Sequence, residues 1–311
     1  MSGIFIYSED GAVARQLVTA GLGLKESMNQ PVVAIALPGA DTQALAATGV
    51  DKVVQLKGDN AWPESYAGAI CDYLAAEGAS VVLVGGTPRG KDVAARIAAR
   101  LGAGLVTDAQ SLCFAEGAVE TTRMMYGGLA LCTERVSLPA LVTVPPRGFE
   151  EAPAGQGAAE QVTVEAAADG RVAISDVCPT ERQGVDISAA ERIVCVGRGL
   201  AKREDMTLAE ALAASLGAEL ACSRGIAEDY HWLPVERYIG ISGQKVKPEL
   251  YLSVGVSGQV QHVAGIRDSR IIVAIDSNEK APIFQAADYG IVGDLYEIVP
   301  LLASALARKA A

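Results

Sequence analysis

Histidine is almost missing from this chain: only His231 and His262 occur in 311 residues. Aromatic side chains are also scarce, at 5%, while Ala, Gly and Val abound. That balance disfavours an all-β sandwich and favours strands alternating with helices. Positive charge is in deficit, with 26 Lys and Arg against 37 Asp and Glu, a net charge of −11 and a pI near 4.8. Nucleic acid is thereby excluded as the main partner, because backbone phosphates are held by clustered Lys and Arg, and docking on anionic lipid is excluded for the same reason. No apolar run approaches the roughly 18 residues of a membrane span, and the opening Met-Ser-Gly-Ile-Phe-Ile-Tyr-Ser-Glu-Asp has no basic segment ahead of a long apolar stretch. The expectation is a soluble, cytoplasmic protein without membrane insertion. Cys71, Cys113, Cys132, Cys178, Cys195 and Cys222 contain no C-x-x-C pair. With two histidines they make no structural zinc site, and most of them read as reduced, half-buried fillers at strand ends.

Half of the residues are hydrophobic, enough to bury a large core, and the length predicts two domains. Strands are expected at Gly3–Tyr7, Val32–Leu37, Lys52–Leu56 and Ser80–Val84, with helices between them. Val93, Ile97 and Leu101 recur every four residues and mark an amphipathic helix after the fourth strand. From Leu105 the pieces shorten. Leu105–Thr107, Ser111–Phe114, Val119–Met124, Leu129–Cys132 and Ala140–Val144, separated by turns, read as β-ribbons added to the sheet edge. Arg147–Ala159 reads as a surface excursion, Gln161–Glu165 and Arg171–Ser175 as a further hairpin, and Thr180–Asp186 as the linker.

A second α/β layer begins with the strand Arg192–Val196 and the turn Gly197-Arg198-Gly199. Leu208, Leu212 and Leu216 give the face of the next helix. Glu219–Ala221, Leu250–Val254 and Ile271–Ile275 continue the sheet, Tyr296–Val299 reads as a short last strand, and Pro300 falls where a first helical turn tolerates it. The fold class is therefore α/β with two domains, 1–186 and 187–311: an N-terminal parallel-sheet domain with added β-ribbons and a C-terminal doubly wound domain.

One motif invites a nucleotide reading and fails. Gly85-Gly86-Thr87-Pro88-Arg89-Gly90-Lys91-Asp92 follows a strand and opens a helix, but Asp92 stands where a P-loop needs the hydroxyl that binds magnesium. It reads as a plain strand-to-helix turn capped by a charged residue. The stronger signal is spread over the second domain: Arg198, then Cys222-Ser223-Arg224, then Glu236 to Pro248, then Ser257-Gly258-Gln259-Val260-Gln261-His262. Each piece follows a strand, where ligands gather in open α/β sheets. The last piece is a strand-turn-helix with His262 on the first helical turn, a seat for phosphate. Arg198 and Arg224 can balance a pyrophosphate and an electron-rich ring. No nucleophile–base pair accompanies His262, so hydrolytic triad chemistry is not expected.

At these residues the chain resembles the alpha subunit of electron-transfer flavoprotein. The likeness is carried by Gly197-Arg198-Gly199-Leu200, Ser223-Arg224, Tyr238-Ile239-Gly240-Ile241-Ser242-Gly243, Pro248-Glu249-Leu250-Tyr251, Ser257 to His262, and Ala281-Pro282-Ile283-Phe284 through Asp294-Leu295. It is specific over about 190–300 and weaker before that, where Gly90-Lys91 and Arg123-Met124-Met125-Tyr126-Gly127-Gly128 are similar to the nitrogen-fixation-associated branch. The resemblance implies an FAD-bound electron carrier, not a substrate-transforming enzyme, with FAD held by the second domain. It further implies a beta subunit that completes a heterodimer through the first domain, which carries no cofactor of its own, and acyl-CoA dehydrogenase-type flavoproteins of fatty acid β-oxidation as donors or acceptors. Carried over by position, Arg198, Ser223, Ile239, Gly240, Ile241, Ser242, Ser257, Gly258, Gln259, Val260, Gln261, His262, Asp276, Asp294 and Leu295 line the FAD. Arg224 lies against the isoalloxazine, Ser242 near N5, and His262 by N1 and O2. The chain departs at Asp276, where many members carry Asn, and at Ser242, where many carry Thr.

Reduction by one electron leaves negative charge over N1, C2 and O2 of a flavin, so a cation or donor there raises its potential. His262 and Arg224 are the expected tuning residues, with the flavin anion raising the histidine pKa. Two other functions are consistent with the residues. A bifurcating flavoprotein, passing electrons from NADH to ferredoxin and an acyl-CoA dehydrogenase, would place a second FAD in the beta subunit. A non-redox nucleotide-binding module would hold no flavin.

Overall fold

The computed structural model describes residues 2–60, 62–155, 157, 159–172, 174–178 and 186–310. They pack as two units, Met1–Cys178 and Pro179–Ala311. The linker expected over Thr180–Asp186 lies, except for Asp186, outside the described residues.

In the first unit, β1 (Ile4–Tyr7), β2 (Val32–Ala36), β3 (Lys52–Lys57) and β4 (Val81–Gly85) alternate with α1 (Gly11–Met28), α2 (Thr42–Ala46), α3 (Ala67–Glu77) and α4 (Pro88–Leu101). Next come β5 (Gly104–Val106), β6 (Ser111–Ala115), β7 (Ala118–Met125), β8 (Ala130–Ser137), β9 (Ala140–Val144) and β10 (Glu160–Glu165). Among the described residues seven strands form one parallel sheet in the order β10-β3-β2-β1-β4-β9-β5. Successive residues of β1 serve opposite layers. Ile4 and Ile6 meet α1, whereas Phe5 and Tyr7 lie in the core that holds α3 and α4. The α4 stripe packs as its spacing dictates, with Val93 and Ile97 fully buried and Leu101 partly so.

Two expectations for this unit are corrected. First, Leu105–Thr107 and Ala140–Val144 do not belong to ribbons: β5 and β9 are parallel strands of the main sheet, and only β6, β7 and β8 form an antiparallel ribbon, as a separate sheet. Burial explains the difference. All of β9 is buried, as in a strand covered on both faces, whereas β6 alternates exposed and half-buried. Second, Gln161–Glu165 forms no hairpin but runs parallel to β3, Gln161 beside Val53 and Glu165 beside Lys57. The described residues of Arg171–Ser175 form no strand, and the Arg171 guanidinium folds back on the Asp169 carboxylate at 2.6 Å. The described residues of Arg147–Ala159 are mostly exposed, as a surface excursion, with two anchors: Ala152 is buried and donates its N–H to the Arg15 carbonyl, and Phe149 packs against the α1 layer.

The P-loop-like segment is a strand-to-helix turn, but its cap is Thr87, not a charged residue. The Thr87 hydroxyl accepts from the Gly90 N–H at 2.8 Å and donates to Glu9 at 2.6 Å. Lys91 pairs with Asp108 and Asp92 with Arg96, so neither faces a phosphate cradle.

The second unit contains β11 (Arg192–Val196), α5 (Met206–Leu216), β12 (Glu219–Cys222), β13 (Leu250–Val254), α6 (Val260–Ile266), β14 (Ile272–Asp276), α7 (Ile283–Ala286), β15 (Tyr289–Val292) and α8 (Leu295–Ala310). The strands make a parallel sheet in the order β12-β11-β13-β14-β15. Val194 and Val196 join Leu212 of α5 and Val299 of α8 on one face; Ile193 and Cys195 join Ile266 of α6 and Ile283 of α7 on the other. Helices on both faces make it doubly wound. The strand expected at Tyr296–Val299 is the start of α8, because the Asp294 carboxylate accepts the Tyr296 N–H at 2.8 Å and opens the helix there. The last strand is β15 instead. Pro300 consequently sits inside α8, beyond the first turn.

Candidate functional site

The chain leaves β11 for β12 on one side and returns to β13 on the other, so the sheet order reverses between β11 and β13. Helices then diverge above the carboxyl ends of those strands and open a crevice. A cleft of about 710 Å³ lies there. Its walls come from every strand end: Arg198 and Gly199 after β11, Ser223, Arg224 and Gly225 after β12, Gly255 to Gln259 after β13, Asp276 and Ser277 at β14, and Asp294, Leu295 and Tyr296 after β15. Tyr238, Ile239, Gly240, Ser242, Gln261 and His262 complete it.

Backbone crowding explains the glycines at the reversal. A Cβ on Gly199 would stand 2.6 Å from the Gly255 Cα, and one on Gly197 would stand 2.2 Å from the Gly255 carbonyl oxygen. These two turns therefore touch main chain to main chain, and the G-x-G is more than a tight turn. Gly258 has φ +78°, and a Cβ there would meet the Ile283 backbone at 2.4 Å. That fixes the loop ahead of α6, whose N-terminus carries no side-chain cap.

Of the residues carried over from the family likeness, Arg198, Ser223, Arg224, Ile239, Gly240, Ser242, Ser257, Gly258, Gln259, Gln261, His262, Asp276, Asp294 and Leu295 line this cleft. Ile241 and Val260 do not. Both point outward, 48% and 39% exposed, and the Ile241 N–H is committed to the Gln261 carbonyl. Arg224 is at the cleft, yet its Nε lies 2.5 Å from Glu228 one helical turn on. This pair is solvent-exposed and so weak. Among the described residues Arg198 has no carboxylate partner, and its stem packs on Gly225. The Ser242 hydroxyl is 2.8 Å from the Tyr238 hydroxyl. Asp276 accepts the Asn278 N–H at 2.9 Å, a role a carboxylate and an amide oxygen fill alike.

His262 is buried at 7% exposure on the floor of the cleft. Nε2 lies 2.7 Å from the Tyr251 hydroxyl and 3.9 Å from the Cys195 sulfur, while Nδ1 is buried without a hydrogen-bond partner. Burial pushes the imidazole pKa down to about 4, against a smaller opposite pull from the Ile239 backbone. The ring is thus neutral near pH 7. The group is a neutral donor here, and an anion beside it would favour its protonated form. Cys195 reaches His262 without making a nucleophile–base pair with it. It is no activated nucleophile, because complete burial raises its thiol pKa and Tyr251 occupies the same nitrogen. His231 is exposed, its Nδ1 3.0 Å from the Ala227 carbonyl. Cys113 and Cys178 are exposed, which departs from the half-buried fillers expected. Among the described residues, no cluster of His, Cys, Asp or Glu is placed to hold a metal, and no helix is long and apolar enough to cross a membrane.

Residues 6–169 match the model of the electron transfer flavoprotein domain, and residues 186–267 match that of the electron transfer flavoprotein FAD-binding domain. The chain belongs to the electron transfer flavoprotein family. It is an alpha-type subunit of that family, with FAD as its cofactor. It is 40% identical over 314 residues to Protein FixB of Shigella flexneri and, equally, to Protein FixB of Escherichia coli strain K12, covering 99% of both chains in each case. Among solved structures it overlaps an X-ray structure of a putative thiamin diphosphate-dependent enzyme from Mycobacterium smegmatis. There the TM-score is 0.24 at 13% identity, with 96% of this chain and 54% of that chain covered, too slight a likeness to bear on fold or function.

The switch-point cleft fits the cofactor of the family. It is long enough to touch all five strand ends, it has close-packed glycine turns where a pyrophosphate needs main-chain approach, and it has a buried, unpartnered imidazole nitrogen on its floor. Tyr251 and Glu228 were not legible as site-related in the sequence. Glu228 stands four residues from Arg224, a spacing that could have been read as a helical ion pair.

Proposed function

We propose that the FAD lies along the cleft with its flavin over the ends of β12 and β13 and its adenosine toward β14 and β15. The observation that carries this reading is the polarity of the cleft. Arg198 and Arg224 follow β11 and β12 on one side of the strand order, and Asp276 and Asp294 lie at the ends of β14 and β15 on the other. Carboxylates accept from ribose hydroxyls and repel phosphate, so the two ends suit different parts of one dinucleotide. Bound there, the flavin supplies reversible one-electron chemistry.

This chain supplies the surroundings. Arg198 and the uncapped start of α6 balance the pyrophosphate. Arg224 exchanges its exposed partner Glu228 for the electron-rich ring, at little cost because that pair is weak. His262 presents a neutral imidazole from a dry floor, where a hydrogen bond to developing negative charge is strong.

The working form in this reading is a heterodimer with a beta subunit, contacted through the first unit (domains 1–186 and 187–311), located in the cytoplasm. Acyl-CoA dehydrogenase-type flavoproteins are the redox partners, as family likeness and the carrier chemistry suggest. Counting flavins in the purified alpha–beta complex tests the scheme. One FAD, held by this chain, is the expected result; two would signal the bifurcating arrangement, and a colourless complex that FAD cannot reconstitute would refute the flavin site.

A further inference from the structure

The buried side of the site holds a polar group for which the family assignment offers no role. Tyr251, on β13, is fully buried among Ile193, Ile239, Ile266 and Ala274 in the apolar layer beneath α6. A phenol there needs a partner, because an unpaired hydroxyl in such surroundings loses its hydration with nothing to replace it. Three groups lie near it: His262 Nε2 at 2.7 Å, the Cys195 thiol, and Ser253 on the same face of β13. Sulfur is a poor acceptor, and the Ser253 oxygen meets no partner in hydrogen-bonding geometry. The imidazole nitrogen is left as the acceptor for the phenolic proton.

We propose that Tyr251 is a positioning residue of the flavin site: its hydroxyl donates to Nε2 of His262 and holds the imidazole in the tautomer that carries its proton on Nδ1. The opposite arrangement, Nε2–H donating to the phenol oxygen, leaves the phenolic proton with sulfur or a misaligned serine. Burial and the neighbouring Cys195 hold the Tyr251 pKa well above its ordinary value, so the phenol stays a donor. The consequence is functional and rests on the flavin reading given above. A bound flavin meets one tautomer in one orientation, fixed from below by a residue that does not touch it.

The test needs no flavin, so its failure is separable from a failure of the FAD assignment. In the full chain labelled with 15N-histidine, only two imidazoles report, and His231→Gln assigns them. Long-range proton–nitrogen correlation near pH 7 should show His262 protonated at Nδ1 and bare at Nε2. Tyr251→Phe should shift population to the Nε2–H form, and Ser253→Ala should leave the tautomer unchanged. Nε2–H in the wild-type chain overturns the proposal without any variant, and so does a folded Tyr251→Phe chain with an unmoved tautomer.

Discussion

Replacing His262 with Gln should remove an acid sensitivity built into the C-terminal unit. In the native chain burial holds the imidazole pKa down to about 4, against about 6.5 in the unfolded chain. Between those values the unfolded state binds the proton and the native state refuses it. Stability therefore falls as pH falls from about 6.5 to about 4 and changes no further from this source below that. The full difference is on the order of 3 kcal/mol, and the part lost between pH 7 and pH 5 is about 2 kcal/mol. In a unit of this size that is a drop of roughly 5–10 °C in melting temperature. The chain has two tryptophans, one in each unit, so Trp62→Phe leaves Trp232 to report on the C-terminal unit alone. Urea unfolding of the flavin-free chain at the two pH values, with and without His262→Gln, measures the term. Equal losses in both proteins would show that the imidazole is not buried neutral, and the account of the cleft floor would fail.

Two further substitutions probe the walls of the cleft. Gly258→Ala puts a Cβ 2.4 Å from the Ile283 backbone at φ +78°, whereas Gly39→Ala, at φ +85°, meets nothing within 4 Å. The first should cost more than about 3 kcal/mol and abolish flavin retention and the second only about 1 kcal/mol, both read by thermal melting and visible absorbance. Glu228→Gln releases Arg224 from its exposed pair, and FAD should then bind tighter by less than about 1 kcal/mol, up to severalfold in Kd by fluorescence titration. Weaker binding would mean that Glu228 holds Arg224 in place for the ligand.

Much of the architecture was legible because parallel sheets write themselves as repeated apolar runs. β1, β2, β3, β4, β11 and β13 fall within a residue or so of where such runs predict them. β5 and β9 were misread because short strands crowd the segment from Gly104 to Val144, and crowding looks like hairpins. The full burial of Ala140–Val144 was written in its apolar character, interrupted only by Thr143. Tyr296–Val299 failed differently: Tyr, Ile and Val suit strands by propensity, and only the Asp294 cap decides for helix. The cleft was legible as strand-end loops. Its floor was not, because the Tyr251–His262 contact joins two elements across the sheet face, and no local spacing reports which way a phenol points. The burial that keeps His262 neutral is likewise a property of packing.

A spectroelectrochemical titration of the FAD-loaded complex, wild type against His262→Ala, reaches the central claim most directly. A hydrogen bond from the imidazole to developing flavin charge, about 1.5–3 kcal/mol, corresponds to roughly 65–130 mV in a one-electron step. The account predicts that the first reduction potential falls by that amount in the variant while FAD is retained. An unchanged potential with flavin still bound would contradict it.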